Sequence, residues 1–164
     1  MISQFAPYRL DRLRVYLHPE TDPQGIGYQV RQARIAIGSG GFWGLGYGES
    51  RQKYHYLPEP TGDSIFAVVA EEFGFFGSLF LIAGFLAFFW RGVVIARRAS
   101  DTFAKLAVVG VMSSIAVQAF VNMGAISGLL PLTGIPLPFI SSGGTSMVAL
   151  LAGLGLVYRV ARES

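Results

Sequence analysis

Three long apolar segments in the second half of the chain decide what it can fold into. The first runs from about Ser64 to Trp90, and within it Phe73–Trp90 is apolar apart from Ser78. The second spans residues 104–126 and the third 138–158. Each is close to the ~20 residues a helix needs to cross a bilayer. Composition agrees, since 52% of the 164 residues are hydrophobic and 14% are charged, with a mean hydropathy of +0.48. An ordinary soluble domain carries nearer ~25% charged residues. The expected fold is all-α and membrane-integral, with three transmembrane helices over 64–164 and a long loop segment with short helices over 1–63.

Within that first segment, IGYQVRQARIAIGS (26–39) places Ile26, Val30, Ala33 and Ile37 at helical spacing, which predicts a short amphipathic helix. The following GSGGFWGLGYGES has too many glycines for a helix to persist. Between the first two apolar segments lie Arg91, Arg97, Arg98 and Lys105, and the C-terminus adds Arg159 and Arg162. Short basic loops stay in the cytoplasm. The expected topology therefore puts 1–63 and the 127–137 turn outside and the C-terminus inside.

Several chemistries are excluded. There is no cysteine, so disulfides, thiolate zinc sites and cysteine nucleophiles are absent. No GxxxxGK[ST] or GxSxG pattern occurs, and His18 and His55 lack metal-ligand spacing. The net charge of +3 is spread along the chain, which gives no nucleic-acid surface.

What remains is polar chemistry at the membrane boundary. Asp63 sits at the start of the first span, and Glu71 and Glu72 lie deeper. At 100° per residue, Asp63, Ala67, Ala70, Gly74, Gly77, Ser78 and Gly84 share one face, a small-residue seam for a second helix. On the residues alone Asp63 reads first as an N-cap, and a general base is the alternative. Ser114, Gln118 and Asn122 recur every four residues on the second span, as interhelical hydrogen-bonding groups or substrate contacts. In LLPLTGIPLPFISSGGTS (129–146) three prolines forbid a continuous helix. Irregular backbone at membrane depth belongs to packed protein or a polar cavity.

These stretches carry a resemblance. YLPEPTGDSIFAVVAEEFG, GYQVRQARIAIGSGGFWGLGYG and VQAFVNMGAISGLLPLTGIPLPFISSGGTS resemble the C-terminal part of the SEDS family, the FtsW, RodA and SpoVE proteins, from Pro7 to about Arg159. The resemblance implies a peptidoglycan glycosyltransferase of the bacterial cytoplasmic membrane, a multi-pass fold of roughly ten helices. Such a protein polymerises lipid II into glycan strands at the outer face, with a class B penicillin-binding protein as partner. It serves division, elongation or sporulation. A lipid II flippase and a non-catalytic scaffold are the competing readings.

By position the family's essential aspartate is Asp63, which reverses the cap-first reading and makes it the candidate general base. The substrate-binding candidates are Gln29, Arg31, Lys53, Glu59, Gln118, Asn122, Ser141, Ser142, Gly143 and Gly144. Glu71 and Glu72 are expected to be structural, with partners in helices outside this chain. No cofactor is assigned. A divalent cation would have only Asp63 and Glu59 to hold it, and no metal-ligand set is named. Ser64, Ala70 and Ser142 depart from the family's usual Phe, Gly and Tyr. The chain reads as a C-terminal piece, expected to be inactive alone.

Overall fold

The structure, a computed structural model, describes residues 12, 15–18, 25–50 and 62–163. Its helices in chain order are α1 (Ile26–Ser39), α2 (Ile65–Arg98), α3 (Thr102–Ile126) and α4 (Gly144–Glu163). Among the described residues there is no strand. Helices α2, α3 and α4 are long and apolar enough to cross a membrane. The expectation of three spanning helices is therefore met.

The largest departures from the expected helix bounds, at the end of α2 and the start of α4, each have a local reason. Helix α2 runs past Trp90 to Arg98, because nothing in RGVVIARR breaks a helix and its last arginines favour a helix C-terminus. Helix α4 starts at Gly144 rather than at 138. Pro136 and Pro138 hold the preceding chain extended, and Phe139 adopts a left-handed φ of 68°. Between α2 and α3 the turn is sharp. Asp101 caps α3, accepting from Phe103 N at 3.1 Å and Ala104 N at 3.2 Å.

Helix α3 is the spine. Val108, Met112, Ile115, Ala119, Asn122 and Ile126 are all buried, a spacing of alternating four and three that keeps one stripe inward. At one end this stripe meets Ala96 of α2 and Val157 of α4, and Gly92 lets Met112 lie against the α2 backbone. At the other end it meets Ala33 and Ala36 of α1, Phe66 and Ala67 of α2, and Leu132 and Leu137 of the proline-rich connection. The outward faces of α2 and α4 stay apolar and exposed, as lipid-facing surfaces should.

Helix α2 is not continuous. Gly74 has φ 66° and ψ −160°, a conformation open only to glycine. The break would strand two carbonyls and two amides of the α-helical ladder. The glycine loop after α1 takes up all four. Leu45 N donates to Glu71 O and Gly46 N to Glu72 O, both at 3.0 Å. In return Phe75 N donates to Gly41 O at 2.9 Å and Phe76 N to Phe42 O at 3.3 Å. The loop is thus spliced into the helix. A Cβ on Gly44 or Gly74 would collide with the opposing backbone, so both positions require glycine.

The break resets the phase of the small-residue face. Above it, Ala67, Ala70 and Gly74 are buried against α1 and its loop. Below it, Gly77 and Gly84 face an open groove instead of a helix seam.

Candidate functional site

Asp63 lies in the turn Gly62–Ser64 that leads into α2. It does not cap the helix. The cap position belongs to Ser64, and Asp63 Oδ1 accepts from Gln29 Nε2 of α1 at 3.2 Å. The same Gln29 amide lies 3.1 Å from Ser64 Oγ, which makes a longer 3.5 Å contact to Asp63 Oδ1. Ser64 is fully buried and Asp63 is half-buried. One carboxylate oxygen therefore points into the protein and is fixed there.

The turn's backbone is clamped from α3 and from the connection. Asn122 Nδ2 donates to Asp63 O at 2.8 Å and to Ile135 O at 2.7 Å. Ser141 Oγ donates to Gly62 O at 2.7 Å. One turn along α3, Gln118 Nε2 donates to Pro136 O at 3.1 Å. The prolines explain why these carbonyls are open. A chain that cannot be helical leaves its C=O groups without intrachain partners, and side-chain amides supply them.

The other carboxylate oxygen lies toward Gly134. A Cβ built on Gly134 would lie 3.8 Å from Asp63 Oδ2 and 3.8 Å from Arg12 Nη2. Among the described residues Oδ2 accepts no hydrogen bond. Gly134 has φ 69°, so glycine both allows the turn and leaves open space between carboxylate and guanidinium. Arg12 is anchored by Nη1 donating to Leu132 O at 2.8 Å. Sequence reasoning did not single out Arg12, because no local pattern links it to Asp63.

The remaining candidates fall into three groups. Gln29, Asn122 and Ser141 converge on the Asp63 turn, with Gln118 one helical turn away. Ser142, Gly143 and Gly144 sit where α4 begins. There Ser146 Oγ donates to Gly143 O at 2.7 Å, Ser142 is exposed, and Gly144 borders open space. Arg31 is exposed on α1, two residues from Gln29 and so on another side of that helix. Lys53 and Glu59 lie outside the described residues. Among the described residues no three His, Asp or Glu side chains gather as a metal site.

Glu71 and Glu72 are buried, at 1% and 6% exposure. Their expected partners were in helices outside this chain. Within this chain Glu71 has a partner, its Oε2 accepting from Ser50 Oγ at 2.6 Å. Glu72 Oε1 has no hydrogen-bond partner among the described residues. The backbone carbonyls of both serve the loop splice at Gly74.

Past the break an apolar groove of about 700 Å³ runs along α2 toward its basic end. Phe73, Gly77, Phe80 and Gly84 form its floor, with Phe139 and Ile140 at its side. Phe88 packs edge-on against Phe139 at 5.6 Å, which helps hold Phe139 in its left-handed conformation.

The chain is similar to several known proteins. The family model described as "Cell cycle protein" (FtsW, RodA, SpoVE) matches residues 1–164. Stage V sporulation protein E of Bacillus subtilis is 46% identical over 97% of this chain and 43% of its own length. A probable peptidoglycan glycosyltransferase FtsW of a Thioalkalivibrio species is 49% identical over 97% of this chain and 40% of its own length. The peptidoglycan glycosyltransferase MrdB of Escherichia coli is 44% identical over 93% and 42%. A solved structure described as "Structural coordination of polymerization and crosslinking by a peptidoglycan synthase complex" superposes with a TM-score of 0.77. It is 31% identical and covers 96% of this chain and 42% of that one. The chain thus spans about two-fifths of the length of the relatives it matches. It is a membrane protein and belongs to the FtsW/RodA/SpoVE family.

Proposed function

We propose that this chain carries the catalytic carboxylate of a peptidoglycan glycosyltransferase that polymerises lipid II. The observation behind the proposal is the asymmetry of Asp63. Its Oδ1 and backbone are held by Gln29, Ser64, Asn122 and Ser141, while Oδ2 faces the opening at Gly134 beside Arg12. A general base needs one fixed orientation and one free oxygen.

Asp63 Oδ2 takes the proton from the 4-hydroxyl of the acceptor GlcNAc. That oxygen attacks the anomeric carbon of the growing strand's MurNAc. The bond from that carbon to the diphosphate oxygen breaks, so undecaprenyl diphosphate leaves and the configuration inverts. Charge gathers on the leaving diphosphate, and cationic donors lower its cost. Arg12 stands beside the opening, and Arg34 packs its guanidinium over Gly128 on the same side of the molecule. The apolar lining of the groove along α2 suits a polyprenyl chain. A flippase would depend on polar groups near the midplane, whereas the polar contacts here converge on the Asp63 turn, to which Gln29, Asn122 and Ser141 all donate.

The membrane is the bacterial cytoplasmic one, with Asp63 outside and the C-terminus inside. The end of α2, with Arg97 and Arg98, lies beside the part of α4 that carries Arg159, so these basic residues share the end of the bundle away from Asp63. A class B penicillin-binding protein is the expected partner, since the solved relative is described as a synthase complex.

The test joins the chain to the amino-terminal helices of a relative and co-purifies it with that partner. Asp63→Asn keeps the size of the side chain and removes the base. Loss of glycan strands by about 100-fold or more, with an unchanged melting profile, is the expected result. Undiminished polymerisation by the Asp63→Asn protein would refute the assignment.

A further inference from the structure

The glycine loop presents a set of large side chains that the Asp63 site does not use. Phe42, Trp43 and Tyr47 are 69%, 82% and 86% exposed. Each pairs with a ring from the α2 break. Phe42 meets Phe75 at 6.2 Å, Trp43 meets Phe76 at 5.0 Å, and Tyr47 meets Phe73 at 6.2 Å. Three rings of the loop thus pair with three of α2 at one level, where four backbone hydrogen bonds tie the loop to the helix.

That level can be placed along the membrane normal from the helix itself. Glu72 and Arg91 bracket Phe73–Trp90, which contains no charged residue. Past the break at Gly74 the helix is continuous, and Phe75–Trp90 rises about 24 Å at 1.5 Å per residue, most of the ~30 Å of a hydrocarbon core. The helix continues to Arg98 and so projects beyond the core at its basic end. The buried carboxylates of Glu71 and Glu72 then fall at the outer limit of the hydrocarbon, and Trp90, 69% exposed, falls at the inner limit. Tryptophan and tyrosine favour these two levels, where an amphipathic ring meets both headgroup and acyl chain.

We infer that the Gly40–Gly48 loop is a membrane-surface anchor. It seats Phe42, Trp43 and Tyr47 in the outer headgroup–acyl boundary of the bilayer and fixes the depth of α2 at Gly74. The partner is the lipid surface. Irregular backbone is tolerable there because the splice into α2 satisfies its hydrogen bonds. The anchor rests on the membrane assignment of α2 and not on catalysis, so its failure would leave the Asp63 reading untouched.

The two tryptophans provide the test. Trp90→Phe leaves Trp43 as sole reporter, and Trp43→Phe leaves Trp90. Each variant is reconstituted in phosphatidylcholine vesicles, both as the full chain and joined to tryptophan-free amino-terminal helices of a relative. Fluorescence is quenched with lipids brominated near the headgroup, with lipids brominated near the chain ends, and with aqueous acrylamide. Helical circular dichroism checks folding in parallel. The expected result is blue-shifted emission from Trp43, lost most with shallow bromines and little with acrylamide, in both forms. Dominant acrylamide quenching would place the loop in water and overturn the anchor. So would resistance of Trp43 to every quencher in the joined protein, because the loop would then be covered by protein.

Discussion

Replacing Gly74 with alanine should eject the glycine loop from α2. At φ 66° and ψ −160° a Cβ costs about 1–3 kcal/mol of backbone strain. It would also strike Gly44 N and the Phe42 carbonyl, neither of which can swing aside as a side chain does. The escape is for α2 to straighten, so that Phe75 N and Phe76 N bond to Glu71 O and Glu72 O in the ordinary helical ladder. Four loop–helix bonds are then lost and two helical bonds gained. A net loss of two, at about 0.5–1.5 kcal/mol each, adds to the lost seating of the loop. Either route gives a destabilisation of about 3 kcal/mol. By hydrogen exchange in detergent, Leu45 and Gly46 amides should exchange on the order of 100-fold faster, while Phe75 and Phe76 stay protected. Gly84→Ala is the control, since that helical glycine borders open space and should shift stability by no more than ~1 kcal/mol. Unchanged protection of Leu45 and Gly46 in the Gly74→Ala protein would refute the splice.

Two further substitutions probe how Asp63 is held. Asn122→Leu strips the donor from Asp63 O and Ile135 O. At about 1–3 kcal/mol per buried unsatisfied group, it should lower unfolding stability by several kcal/mol in denaturant titration; a neutral outcome would mean the turn is held by other contacts. Gln29→Leu removes the donor to Asp63 Oδ1. A hydrogen bond to a charged group is worth about 1.5–3 kcal/mol, so polymerisation by the joined enzyme should lose about 10- to 100-fold in kcat with KM nearly constant. A raised KM at unchanged kcat would place Gln29 on the substrate instead.

The spans were legible because an uncharged run of that length has few other fates. The amphipathic pattern of 26–39 likewise gave α1, whose Ala33 and Ala36 are fully buried. Face arguments failed where they assumed an unbroken helix. The seam counted from Asp63 holds as far as Gly74 and then loses phase, because around that glycine Glu71, Glu72, Phe75 and Phe76 exchange helical bonds for those of a loop about thirty residues earlier. Nothing in FGFFG distinguishes that glycine from a packing glycine. Arg12 stayed hidden for a similar reason, since its place beside Gly134 depends on a long-range fold and not on spacing.

The polar line of α3 shows how a partial reading becomes a mechanism. Gln118 and Asn122 looked like interhelical or substrate contacts, but their acceptors are carbonyls of the connection, at Pro136 and Ile135, and of Asp63 itself. Those carbonyls are free only because Pro131, Pro136 and Pro138 keep the connection from becoming helix. The prolines, the amides and the aspartate therefore act as one device. Extended backbone supplies acceptors, α3 supplies donors at four-residue spacing, and the turn before α2 is fixed between them. A rigid turn that fixes one carboxylate oxygen and leaves the other without a hydrogen bond among the described residues is the geometry that the proposed base requires.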